Sequence, residues 1–299
     1  ITRRGSAITA ALEPRFLGYR DPFNHAGGRW ARRAYGCAEH GPRVIEGYAV
    51  NAIRSFVYVI WLYGWMGILG VIALPTFLLP RAAVLWFIRL YARLVVLGLR
   101  LICGIRVEFR GREHVPGGPV IIAGKHQAML DVFVPFLVFS APVLVMQREL
   151  LWYPALGWYA LKTRMLAIDR SGGARTMKKM LAAADKRVKG ESRQMLIYPE
   201  GTRSLPGAAP EYKPAGVRAF YMSLGIPMVP FATNSGLCWP AHGMLRRPGR
   251  IVYEVLPPID PDLAPKAMLV ELEDKLEAAS NRLLDEGLAA QGRNRSDLK

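Results

Sequence analysis

A histidine, a carboxylate and a lysine fall within seven residues of one another in the stretch Gly124-Lys125-His126-Gln127-Ala128-Met129-Leu130-Asp131. The apolar run 120–123 ahead of them reads as a buried strand, and α/β proteins place their chemistry at strand ends. The run 132–139 behind them is apolar enough to be buried but is ambiguous between helix and strand. On a regular helix, residues five apart lie about 140° round the axis, so His126 and Asp131 on one helix would not face each other. They meet only if His126 stands ahead of the first helical turn and folds back. A pair built that way suits general-base catalysis, because the carboxylate fixes the tautomer and steadies the imidazolium that forms. Met alone, this spacing is more often a surface histidine beside an unrelated first-turn aspartate.

Two further strand ends carry chemistry. Residues 165–170 form an apolar run closing on Asp169-Arg170, followed by Ser171-Gly172-Gly173. An arginine there, beside backbone N–H groups, is a ready anion site. Residues 196–203 run from an apolar strand through Tyr198 and Pro199 into Glu200-Gly201-Thr202-Arg203. Proline ends ladder pairing, Gly201 permits a tight backbone, and Thr202 and Arg203 offer donors to a phosphate. Glu200 has three open roles: aiming Arg203, binding a substrate hydroxyl, or holding the loop. Each of these segments alone is also what an ordinary polar turn looks like.

The elements that must position these groups form an α/β fold, a mixed sheet of about seven strands flanked by helices. Candidate strands are residues 105–110, 120–123, 143–147, 165–169, 194–198, 228–232 and 251–256, and helical stretches cover 174–189, 214–224 and 265–289. A membrane-associated helical pair precedes them. No residue between 55 and 80 is charged, a length that as helix exceeds the roughly 30 Å hydrocarbon core, and Pro75 and Pro80 kink or end it. In the equally apolar 82–105, Arg93 and Arg100 lie at about 40° and 20° from Arg89, the pattern of an interfacial amphipathic helix. The expected divisions are an irregular segment over 1–48, membrane-associated helices over 49–105, the α/β domain over 106–290 and a polar, frayed tail over 291–299. No signal-peptide pattern is matched, since the charged region is long and the apolar stretch begins late.

Composition narrows the partners. The 299 residues are 52% hydrophobic and carry a formal charge of +17, which calls for an acidic partner. Nucleic acid, an anionic membrane surface and an acidic carrier protein all qualify, but no nucleic-acid-binding motif is present and the uncharged apolar stretch favours membrane. Arg81, Arg89 and Arg93 place the following domain on the cytoplasmic side of the cell (inner) membrane, an orientation that Arg54 at the other flank weakens. The cysteines, Cys37, Cys103 and Cys238, are far apart and match neither a disulfide framework nor a zinc site.

Taken in order, the three strand ends resemble the motifs of the glycerolipid acyltransferase family, and most closely its 1-acylglycerol-3-phosphate (lysophosphatidate) acyltransferases. His126 to Asp131 matches the first motif, 166–170 the second, and Pro199-Glu200-Gly201-Thr202-Arg203-Ser204 the third in full. Ile226-Pro227-Met228-Val229-Pro230 matches the fourth. Two departures border the histidine: Lys125 stands where many members have Asn, and Ala128 where many have Ser. The resemblance implies a membrane-bound O-acyltransferase that moves a fatty acyl group from acyl carrier protein or acyl-CoA to lysophosphatidic acid, giving phosphatidic acid. His126 and Asp131 are then catalytic. Arg170, Glu200, Gly201, Thr202 and Arg203 bind substrate, with Lys213 of a Phe-Lys-x-Gly-like segment, and Lys125 adds to the phosphate field or the oxyanion site. The scheme requires no cofactor beyond the thioester co-substrate and no metal. Alternatives within reach are another lysolipid acceptor and a membrane-bound thioesterase or esterase.

Overall fold

The computed structural model describes residues 42–298 except 154–155 and 169–172, and residues 47–299 form one compact unit. Seven strands make a single sheet: β1 (Ile105–Arg110), β2 (Val120–Gly124), β3 (Pro142–Gln147), β4 (Leu166–Ile168), β5 (Gln194–Ile197), β6 (Met228–Thr233) and β7 (Gly249–Val255). Their order is β1-β7-β6-β2-β5-β3-β4, parallel throughout except between β6 and β7. The sheet is mixed, as expected.

β2 explains why the sheet needs two covering layers. All five of its residues are buried, and alternate side chains enter opposite cores, since successive residues of a strand point to opposite faces. Val120 and Ile122 join Leu196, Val229 and Phe231 on one face, whereas Ile121 and Ala123 join Met195, Ile197 and Met228 on the other. The first face is covered by α1 (Pro42–Ile72) and α2 (Arg81–Cys103) through Tyr58, Leu62, Leu85, Val95 and Leu99. The second is covered by α5 (Gly173–Val188), α6 (Pro214–Leu224) and α8 (Pro265–Ala289) through Met180, Ala184, Phe220, Met268 and Leu272. The short helices α3 (Pro135–Val138), α4 (Leu156–Lys162) and α7 (Ser235–Cys238) complete the fold.

The proline-bounded break between the first two helices lies where the sequence puts it. A 3-10 turn, Leu74–Leu78, carries Pro75 in its first positions, and α2 opens directly after Pro80. Helix α1 reaches back to Pro42, inside the segment expected to be irregular, because proline at a first helical position forgoes no hydrogen bond. The rest of that segment lies outside the described residues. The two helices are joined by side chains donating to backbone carbonyls: Tyr58 to Val95 at 3.2 Å, Trp61 to Leu94 at 2.9 Å and Tyr91 to Leu62 at 3.1 Å. Both helices, over 47–72 and 81–103, are long and apolar enough to cross a membrane. Arg93 and Arg100 of the expected arginine face are exposed, but Arg89 turns onto the domain and donates to the Ser140 carbonyl. The C-terminal tail, expected to fray, forms a 3-10 turn (Arg295–Leu298), because Arg295 reaches back to Asp285 at 2.7 Å and Leu298 packs on the core.

Gly98 allows the helical hairpin to close. A Cβ at this position would stand 2.5 Å from the Trp61 ring, and that ring is fixed by its own hydrogen bond. Gly98→Val is therefore expected to destabilise the fold by roughly 1–3 kcal/mol, read as a lower thermal midpoint. An unchanged midpoint would show that the hairpin has slack at this crossing.

Candidate active site

The parallel register of β2 and β5 aligns Ala123 with Ile197, so the chain leaving each strand emerges at the same edge of the sheet. The connection from β2 heads past β5 to β3, while that from β5 heads past β2 to β6. The carboxyl ends of adjacent strands whose connections leave in opposite directions are where α/β folds bind ligands. Here that edge carries His126 on one side and 198–204 on the other.

His126 lies in extended chain, and Asp131 is the third residue of a separate 3-10 turn, Met129–Val132. The geometric condition set by their spacing is met. Asp131 Oδ2 accepts from the backbone N–H of Gln127 at 2.7 Å, from that of Ala128 at 2.8 Å, and from His126 Nδ1 at 3.0 Å. Asp131 Oδ1 accepts from the Tyr253 hydroxyl at 2.6 Å. The carboxylate is 2% exposed yet supplied on both oxygens, which is what a buried charge needs. The phenol of Tyr253 is held well above its ordinary pKa by burial and by Asp131 beside it, so it remains a protonated donor. With Nδ1–H given to Asp131, the tautomer leaves Nε2 unprotonated and able to take a proton.

The His126 ring is braced from below. It stacks on Tyr198 with centroids 4.2 Å apart, and the Tyr198 hydroxyl donates to the Asp131 carbonyl at 2.6 Å. Burial, with Asp131 adding to it, keeps that phenol protonated too. The His126 carbonyl in turn accepts from the Ser204 N–H at 2.8 Å, which fastens the loop carrying Arg203 directly to the base.

Gly201 has φ of +65°, the left-handed region, and a Cβ there would stand 3.4 Å from Lys213 Nζ. Lys213 is anchored by its N–H to the Pro199 carbonyl at 2.8 Å. Thr202, Arg203 and Lys213 are exposed, and Arg203 makes no ion pair with any described residue. The loop thus offers two cations beside the histidine. Arg170 lies outside the described residues; β4, which leads toward it, is the edge strand two places from β5.

Lys125 departs from the expectation that it faces a phosphate or an oxyanion. It is 4% exposed, and its Nζ donates to Glu200 Oε1 and to Glu277 Oε1 of α8, each at 2.7 Å. Two carboxylates claim the ammonium, so it lies behind the site and ties three elements together. Glu277 also accepts from Tyr212 at 3.0 Å. Glu200, 3% exposed, holds neither Arg203 nor any other cation besides Lys125, and its Oε2 has no partner among the described residues. Tyr253, Tyr198 and Glu277 were not identified from the sequence, because no local pattern connects them to His126.

A base held in one tautomer beside a cationic loop is built to deprotonate a hydroxyl on an anionic molecule for group transfer. Comparison with known proteins agrees. Residues 106–234 match the Acyltransferase family model. A 1-acyl-sn-glycerol-3-phosphate acyltransferase of Pseudomonas aeruginosa is 30% identical over 77% of this chain and 89% of its own length. One of Saccharomyces cerevisiae is 29% identical over 75% of this chain and 74% of its own. The crystal structure of the 1-acyl-sn-glycerophosphate acyltransferase of Thermotoga maritima superposes with a TM-score of 0.63 at 18% identity, covering 81% of this chain and 97% of that one. The chain belongs to the 1-acylglycerol-3-phosphate acyltransferase family, and is an O-acyltransferase.

Two substitutions test the supports. Tyr253→Phe strips one donor from a buried carboxylate oxygen and is expected to cost about 1–3 kcal/mol in urea unfolding. Full stability would mean that water replaces the phenol. Lys125→Met leaves the buried Glu200 and the partly buried Glu277 carboxylates without their shared cation and should cost more, roughly 3–5 kcal/mol. A smaller loss than that of Tyr253→Phe would deny Lys125 its bridging role.

Proposed function

We propose that this acyltransferase moves a fatty acyl group from the thioester of acyl carrier protein or coenzyme A to the free hydroxyl of 1-acylglycerol 3-phosphate, giving phosphatidic acid. The observation that carries this is the free Nε2 of a histidine whose Nδ1 is fixed on Asp131, next to a loop presenting Arg203 and Lys213 to solvent. The names of the relatives support the choice of acceptor.

Arg203, Lys213 and Thr202 hold the acceptor's phosphate, with Arg170 joining them, and Gly201 lets the backbone approach. The acceptor hydroxyl is then set against His126. As its oxygen attacks the thioester carbonyl, Nε2 takes the proton and Asp131 steadies the imidazolium. The tetrahedral intermediate collapses, the carbon–sulfur bond breaks, and the departing thiolate takes the proton back from His126. The ester is formed without an acyl-enzyme. Glu200 stands behind this loop, its Oε1 on Lys125 and its Oε2 without a partner among the described residues.

We infer that the reaction takes place at the cytoplasmic face of the cell membrane. Support comes from two helices of membrane-spanning length and apolarity and from Arg81, Arg89 and Arg93 following the first of them. The net charge of +17 suits anionic lipid and an acidic carrier protein or coenzyme A phosphates.

The test is a transfer assay crossing both donors with several lysolipid acceptors. His126→Ala is expected to lower turnover by about 10²–10⁴ while membrane binding persists, and a fully active variant would refute the base. Arg203→Ala should chiefly raise the KM for the acceptor. A change confined to the donor's KM would refute the phosphate role, and thioester cleavage without an acceptor would favour a thioesterase.

A further inference from the structure

At the end of the sheet remote from His126, five cations gather around one carboxylate. Arg193 directly precedes β5, Arg164 precedes β4 by two residues, Arg81 opens α2, Lys162 closes α4 and Arg187 lies in the last turn of α5. Glu191 accepts from Arg81, accepts from Arg164 at 2.6 Å, and lies 3.6 Å from Arg193. Two of the cations are fixed by the fold. Arg193 is buried, with its guanidinium donating to the carbonyls of Ala141, Thr163 and Pro142, and Arg187 donates to the Met165 carbonyl. Burial, and then Arg81, hold Arg193 below its ordinary pKa, at about 10. Burial lowers Arg187 as well, and Arg164 beside it adds to the effect. One carboxylate does not neutralise this cluster.

The three remaining cations keep donors beyond their contacts with Glu191 and the Phe77 carbonyl. Arg81, Lys162 and Arg164, with Leu161 and Glu191, line an open cavity of about 590 Å³. Exposed apolar side chains lie on the elements that flank it. Lys162 donates to the Phe77 carbonyl and the Phe77 ring packs on Tyr159, which brings the turn between α1 and α2 alongside α4. That turn exposes Leu78 at 92% and Leu79, and α4 and the segment before it expose Leu161, Trp158, Tyr153 and, at 82%, Trp152. Tryptophan and tyrosine above a band of arginine and lysine is the composition of a membrane–water interface. A soluble anion would satisfy the cations but leave this rim in water.

We propose that this cavity binds the phosphate of an anionic membrane lipid, whose acyl chains lie against Leu78, Leu161 and Trp158. The site is separate from the Arg203 loop: the four residues of β5 put roughly 13 Å of strand between Arg193 and Tyr198. It therefore anchors the protein rather than holding the reacting acceptor. The proposal rests on the membrane association above, and the following experiment separates the two.

Binding of the full chain is measured to vesicles of phosphatidylcholine alone and of phosphatidylcholine with phosphatidylglycerol. Phosphatidylglycerol should tighten binding of the wild type, and Lys162→Gln with Arg164→Gln should remove at least about fivefold of that gain. Binding of the double variant to phosphatidylcholine should be unchanged, which reports an intact fold. Glu191→Gln removes the one opposing charge and should increase the gain. An equal response to phosphatidylglycerol in all three proteins would overturn the site. Abolition of the gain by matched inorganic phosphate would overturn the lipid in favour of a soluble anion. Failure of the wild type to bind either vesicle would overturn the membrane association itself.

Discussion

The buried carboxylate of Asp131 is the interaction on which the site depends. An ionised group in an apolar interior is strongly unfavourable unless its oxygens are fully hydrogen-bonded. Asp131 meets that demand with donors from two distances in the chain. The N–H groups of Gln127 and Ala128 and the imidazole of His126 are local and fold the segment into a tight reversal. Tyr253 comes from β7 and fixes that reversal to the sheet. Tyr198 closes the circle, bonding the Asp131 backbone while its ring supports the imidazole. The position of Nε2 is thus set before any substrate arrives, which is the condition for efficient proton transfer.

A second carboxylate centre lies back to back with the first, and the reason is the geometry of extended chain. Lys125 and His126 are consecutive, and successive side chains of an extended segment point to opposite sides. The His126 side chain keeps 16% of its surface exposed, whereas Lys125 is turned inward to where Glu200 and Glu277 meet it. The two centres are treated differently. Asp131 is saturated, whereas Glu200 keeps one buried oxygen without a partner among the described residues. A buried unsatisfied acceptor is unfavourable until a donor reaches it, so the uncompensated cost is concentrated directly behind the Gly201–Arg203 loop.

What the sequence reveals follows from how local each signal is. The seven strands and the long helices over 173–188, 214–224 and 265–289 declare themselves by period, and the structure keeps them. The seven-residue α4 and four-residue α7 are too short to show one. His126 and Asp131 were legible because their spacing states a geometric condition. Their supports were not: Tyr198 lies 67 residues from Asp131, Tyr253 lies 122 from it, and Glu277 lies 152 from Lys125. Lys125 was misread for the same reason, since a lysine beside a catalytic histidine looks like an anion ligand until the carboxylates that claim it are known. One clue was available. The alternation of β2 carried past its end puts position 125 on the face of Ile121 and Ala123, the one that α8 helps to cover.

The helical hairpin poses a different problem, because α1 is ordered against the domain by only a narrow stripe. Ser55, Tyr58, Leu62 and Leu69 are buried, while Phe56, Ile60, Tyr63, Met66 and Val71 face outward. Leaving one large apolar side chain in water forgoes about 1.5–3 kcal/mol, so the outer face of α1 alone would weigh against a stability of the ordinary 5–15 kcal/mol. Hydrocarbon removes that penalty without altering the hairpin, because Tyr58, Trp61 and Tyr91 already satisfy their polar atoms on backbone carbonyls within it. Over residues 47–72 the helix is about 39 Å long, longer than a hydrocarbon core is thick, so it can lie tilted and still bury its outer face. In the proposed reaction the acceptor and the product are both lipids. On that proposal, holding the reacting groups at the bilayer would convert a three-dimensional search into a local one, and the apolar face that is unfavourable in water would bring the enzyme to its substrate.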